Sequence, residues 1–156
     1  MKTTEKNLWE AFAGESQANR KYLAFADKAG KEGFKQTARL FRAAAHAETI
    51  HAHAHLRALK AIGTTAANLK EANSGETHEF QEMYPAMIAA AKEEGHASAE
   101  RSFSYANEVE KIHAALYQKA LDSLGSQEET DIHVCSMCGY TCEGEAPEKC
   151  PVCGAN

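Results

Sequence analysis

At 156 residues and 17.0 kDa the chain has room for one ordinary domain and a small module. Its 44% hydrophobic and 25% charged residues exclude disorder as the general state, and three prolines and ten glycines exclude collagen-like or proline-rich architectures. Residues 1–124 carry equal numbers of acids and bases, so the formal charge of -5 lies in residues 125–156, and an acidic chain without a basic stripe argues against nucleic acid.

The longest apolar run, Ala86 to Ala91, is too short to cross a bilayer. Met1 to Lys6 lacks the apolar core of a signal peptide. Four of the five cysteines form two Cys-x-x-Cys pairs, which reads as metal binding in a reducing compartment rather than disulfides. A cytoplasmic protein with no membrane partner is expected.

Four long helical segments are expected in the first 124 residues. Thr3 or Thr4 can cap the first, which ends near Gly30. The second runs from about Phe34 to Ile62 with Gly63 as its stop, the third carries Leu69 to Glu94, and the fourth runs from about Ala97 to Leu124. Pro85 should bend the third segment or free a carbonyl within it. A linker is expected at 125–134 and a metal module at 135–156.

The seven-residue repeat carries the chemistry. The series Leu8, Glu15, Tyr22; Phe41, Glu48, His55; Leu69, Glu76, Met83; and Phe103, Glu110, Tyr117 place one glutamate per helix on the stripe facing the core. A buried carboxylate costs several kcal/mol unless it is paired or bound to metal, and no basic residue shares this stripe. Glu48-x-x-His51 and Glu110-x-x-His113 each point two ligands from one helical turn toward one spot. A Glu from each of two helices plus Glu-x-x-His from the other two is the two-metal arrangement of ferritin-like bundles, and this donor set suits iron or manganese. Glu79 is one glutamate more than that scheme requires. Tyr22 and Tyr84 are core aromatics whose hydroxyls could bond a ligand carboxylate. His55 reads as a core or supporting histidine, whereas His46, His53, His78 and His96 read as solvated surface.

In the tail, Cys135, Cys138, Cys150 and Cys153 form two knuckles able to hold one tetrahedral zinc or iron, and the metal should hold so short a segment together. Cys142 reads as a spare thiol.

The chain resembles the rubrerythrins through Ala13-Gly14-Glu15-Ser16-Gln17-Ala18, Glu48-Thr49-Ile50-His51, Gly75-Glu76-Thr77-His78-Glu79, Met83-Tyr84-Pro85, Glu110-Lys111-Ile112-His113 and both knuckles. The resemblance implies an all-α four-helix ferritin-like bundle with a C-terminal rubredoxin-like module, a di-iron site and a third iron held by four cysteines. It implies reduction of hydrogen peroxide to water, with His51 exchanging for Glu79 at the iron that carries Glu15. Glu76 and His113 would hold the other iron, and Glu48 and Glu110 would bridge. Electrons would come from a reductase of unknown identity. Two other readings stay open: a ferroxidase or iron-handling bundle, and a zinc-ribbon interaction module on a structural bundle.

Three expectations concern assembly. The acidic tail should dock on a bundle whose exterior is net positive once ligand carboxylates are discounted. Glu110 to Leu124 carries the linker about 20 Å from the metals, so the tail of one chain is expected beside the site of a partner in a homodimer, as the resemblance also implies. Finally, parallel second and third helices would demand a return of about 37 Å if the third began near Thr65. Either residues 63–75 form an extended crossover, or helices are exchanged between two chains. An up-down-up-down bundle would also relieve the constraint but departs from the resemblance.

Overall fold

The computed structural model describes residues 2–156. Its helices are α1 (Thr3–Lys31), α2 (Lys35–Leu59), α3 (Thr65–His78), α4 (Tyr84–Glu93) and α5 (Ala97–Asp122), with a π-helical turn, Glu79–Met83, joining α3 to α4. Two short strands follow, β1 (Ile132–Val134) and β2 (Thr141–Glu143). The protein is therefore mostly helical, with four helical segments and a small cysteine-bearing module, as expected from the sequence. Among the described residues no helix is long and apolar enough to cross a membrane. The chain divides into two compact units, one ending at Gly63 and the other Thr64–Asn156.

The first unit is the α1–α2 hairpin. Gly33 makes its turn at φ +86, where a side chain would be strained, and Phe34 N–H donates to Ala29 O at 2.9 Å to close α1. The buried positions are all alanine: Ala26 and Ala29 on α1, and Ala38, Ala45 and Ala52 at heptad spacing on α2. Such small residues let the two backbones approach closely, and Asn19 spans the gap by donating to Ala45 O at 2.7 Å and Thr49 Oγ1 at 2.9 Å. Neither Thr3 nor Thr4 caps α1, because the helix already begins at Thr3; Lys2 takes the cap position without a side-chain bond. Gly63 is not the stop of α2 either. Lys60 itself turns left-handed at φ 55, ending the helix at Leu59 for a strain of about 1 kcal/mol.

In the second unit, Thr64 Oγ1 accepts from Ala67 N–H at 3.2 Å and starts α3 at Thr65, four residues before Leu69. Residues 65–75 are thus helical, and an extended crossover there is excluded. Pro85 has no N–H to give the helical ladder, and the ladder adjusts just ahead of it: Tyr84 N–H donates to Glu79 O, five residues back. His96 lies on the surface, as expected, and its Nδ1 caps α5 by accepting from Ala99 N–H at 3.3 Å.

The module folds back along α5 of its own chain. A side chain at Gly139 (φ +87) would meet Val109 Cγ1 at 3.8 Å, Thr141 Oγ1 lies 3.0 Å from His113 Nε2, and Glu143 pairs with Lys119. Within the chain the module lies beside His113, because residues 123–131 reverse direction rather than lead onward, the fold-back that the sequence left open.

Candidate metal centres

The first unit gathers Glu15 from α1 with Glu48 and His51 from α2, their ligand atoms within 4.8 Å of one another. His51 Nδ1 lies 2.9 Å from Glu48 Oε2 and 3.6 Å from Glu15 Oε2. Hydrogen bonding to Glu15, and then to His51, holds Glu48 below the usual carboxylate range.

In the second unit Glu76 from α3 joins Glu110 and His113 from α5 in a group of the same size. His113 Nδ1 lies 2.7 Å from Glu110 Oε2 and 3.7 Å from Glu76 Oε1. Burial, together with a hydrogen bond to Glu110 and its charge, pushes Glu76 up to about 7. Burial also raises Glu79, helped by Glu110, although Glu79 stands outside the three-residue group, at the start of the π turn. Tyr84 is raised by burial and by Glu79, Glu110 and Glu76, so its hydroxyl holds its proton tightly. Tyr22 instead packs among Phe25 and Phe41, with ring centroids 6.3 and 6.2 Å away.

These groups fit a cation. Two carboxylates and an imidazole converge on one point in each, and in the second burial, together with repulsion between the carboxylates, raises Glu76 to about 7. A divalent ion removes that repulsion. The donor set, oxygen with one nitrogen, is that of iron or manganese.

The four-cysteine site fits a metal more tightly still. The Sγ atoms of Cys135 and Cys153 are 3.7 Å apart, and those of Cys138 and Cys150 are 3.5 Å apart. A tetrahedron with metal–sulfur bonds of 2.3 Å has edges of about 3.8 Å. The knuckles match one another: Gly139 N–H donates to Cys135 O and Gly154 N–H to Cys150 O, both at 2.9 Å, with both glycines at positive φ. N–H groups of Cys153 and Val152 hold Cys150 down at about 6 against its own burial, whereas burial and the neighbouring sulfurs push Cys138 up to about 12. Cys142 lies outside the group, opposite His133 in the β1–β2 ladder.

Thr141 is the site residue that the sequence did not expose. Its hydroxyl reaches His113 through tertiary packing, and neither periodicity nor motif spacing marks it. Asn73, which donates to Ala114 O at 2.7 Å and ties α3 to α5 at the residue after His113, was equally silent.

Residues 6–121 match the rubrerythrin family, and residues 133–156 match the rubredoxin-like domain of rubrerythrins. Rubrerythrin-2 of Clostridium acetobutylicum is 38% identical over 164 residues, covering 94% of this chain and 89% of that protein. Nigerythrin of Nitratidesulfovibrio vulgaris is 38% identical over 97% of this chain and 82% of its own length. Among solved structures, fully reduced, all-ferrous nigerythrin aligns with a TM-score of 0.60 at 36% identity, covering 99% of this chain and 84% of that one. With its Glu/Glu/His groups of the di-iron type and its four-cysteine rubredoxin-like site, this chain belongs to the rubrerythrin family.

Proposed function

We propose that the protein is a peroxidase reducing hydrogen peroxide to water, H2O2 + 2 e− + 2 H+ → 2 H2O, with electrons entering through the four-cysteine module. The observation that carries this reading is the hydrogen-bonded contact between that module and the carboxylate–histidine group, Thr141 Oγ1 to His113 Nε2 at 3.0 Å. A one-electron tetrathiolate centre has no purpose beside a merely structural bundle. Iron at the carboxylates, when bound, supplies the two electrons that cleave the O–O bond. Glu15, Glu48 and His51 would hold one ion, Glu76, Glu110 and His113 the other, and Cys135, Cys138, Cys150 and Cys153 the third. Glu79 and Tyr84, both raised by burial and by neighbouring carboxylates, hold protons more tightly than usual at Oε and Oη and are placed to hand them to departing oxygen. A cytoplasmic reductase would refill the module.

We propose further that the two half-sites belong to one centre, which two chains build by exchanging helices. The stretches Glu48 to Leu59 of α2 and Thr65 to Glu76 of α3 are about 16 Å each. Parallel second and third helices, as in ferritin-like bundles, require a return of about 33 Å, whereas residues 60–64 bridge at most about 21 Å. Pairing α1–α2 of one chain with α3–α5 of a second copy meets the requirement.

Stopped-flow mixing of fully reduced protein with peroxide or with oxygen tests the activity. Peroxide should oxidise the protein faster; faster oxidation by oxygen would overturn the reading in favour of a ferroxidase. A colourless protein after iron loading would leave only the zinc-ribbon reading.

A further inference from the structure

The two histidines of the half-sites are held differently. His51 meets its carboxylates through Nδ1, and its side chain is 56% exposed. His113 uses Nδ1 in the same way but is 26% exposed, and its other nitrogen meets Thr141. The Thr141 hydroxyl in turn donates to Gly139 O at 3.0 Å, so toward His113 the same oxygen acts as acceptor. Gly139 directly follows Cys138 of the first knuckle, and its positive φ turns the chain between that cysteine and Thr141.

We propose that Thr141 is a positioning residue that fixes His113 for metal binding and ties the module to the half-site of its own chain. The chemistry is that of a relay with one direction. A metal ion takes the lone pair of Nδ1, which leaves the ring's only proton on Nε2. That N–H requires an acceptor, and Thr141 Oγ1 supplies it because its own hydrogen is committed to Gly139 O. Acceptors of this kind orient the ring and raise its basicity, and losing one typically lowers metal affinity by about 10–100-fold. The same contact, with Gly139 against Val109 and Glu143 on Lys119, places the first knuckle along one face of α5. His113 therefore binds metal well only while the module is docked.

The inference rests on His113 being a metal ligand, and the test separates the two ideas. Full-length protein is stripped with chelator and titrated with cobalt(II), whose thiolate bands report the four-cysteine site apart from the carboxylate site. Thr141→Val should weaken cobalt binding at the carboxylates about tenfold or more with the thiolate bands unchanged, and Thr141→Ser, which keeps the hydroxyl, should restore it to within about twofold. Valine binding as tightly as threonine would overturn the role of Thr141. A wild type that takes no cobalt at the carboxylates would instead sink the metal-site reading. If valine also disturbs the thiolate bands, the zinc-loaded wild type decides. Its His113 Nε2–H should exchange with water slowly in ¹H–¹⁵N spectra, and exchange as fast as in free imidazole would refute the hydrogen bond.

Discussion

The α1–α2 hairpin and the α3–α5 unit present the same three donor types, two carboxylates and an imidazole, yet they are not equivalent. In the hairpin the imidazole is the most exposed member and Glu48 is comfortably ionised. In the second unit the imidazole is covered and gripped at both nitrogens, and Glu76 clings to its proton. A symmetric donor list thus conceals one fixed half and one loose half. The rubredoxin-like module holds the second unit through Thr141, whose hydroxyl meets His113 Nε2. Under the proposed peroxidase reading, such a division would let one imidazole leave its ion while the other keeps the site anchored.

Chain mixing gives the largest test of how the halves combine. A chain with Glu48→Ala and His51→Ala is dead in its first half-site, and one with Glu110→Ala and His113→Ala in its second. With helix exchange, verified heterodimers should regain about half of the wild-type centres, because one centre inherits both intact halves. Without exchange no centre is intact, and metal content and peroxide turnover stay at background. The same logic probes the tie at Thr141. Cys138→Ala mixed with Glu48→Ala should recover turnover, since an intact module accompanies the intact second half. Mixed with Glu110→Ala it should not, because the ligand and the cysteine must come from one chain. Recovery in that second mixture would mean that modules serve a partner's site.

A smaller effect separates the two imidazoles directly. His113→Ala should weaken ferrous binding at least tenfold more than His51→Ala, because it removes an oriented ligand rather than a mobile one. Iron titration of the two variants, read by visible absorbance and metal analysis, checks this. Equal losses would erase the distinction between fixed and loose halves.

Much of this was legible in the sequence, and the reasons are physical. A glutamate on a core-facing heptad stripe violates the hydrophobic pattern four times over, and only shared chemistry reconciles Glu15, Glu48, Glu76 and Glu110 with their neighbours. Cys-x-x-Cys spacing is local geometry, so the knuckles could be read without a fold. The irregular helical turn was foreshadowed by Pro85, which cannot donate to the ladder. What stayed hidden depends on tertiary packing. Thr141 looks like any strand residue until β2 is laid against α5, and the reversal of residues 123–131 that brings it there has no periodic signature. Lys60 at positive φ was hidden for another reason: Gly63, three residues on, offered the more obvious stop.

The smallest predicted effect is a difference in proton linkage between the halves. Glu76 in the metal-free protein is raised from 4.5 to about 7, so between those values the folded state binds more protons than the unfolded state. Stability contributed by this carboxyl is therefore full at low pH, declines as pH rises from about 5 to 7, and levels off beyond. Glu48 is shifted the other way: its contribution is present above 4.5 and is lost only as pH falls below that value, so it adds no slope in the same window. Denaturant unfolding of metal-free wild type and Glu76→Gln across pH 5–8 should yield curves whose difference changes by on the order of 2 kcal/mol, after allowance for screening by solvent. Metal binding reverses the sign. An ion requires the ionised carboxylate, so loading the second half-site expels the proton and its affinity climbs by up to about tenfold per pH unit until pH 7. Identical slopes for wild type and Glu76→Gln would show that crowding of the Glu76 and Glu110 carboxylates does not set the proton balance, and the electrostatic contrast between the halves would fall with it.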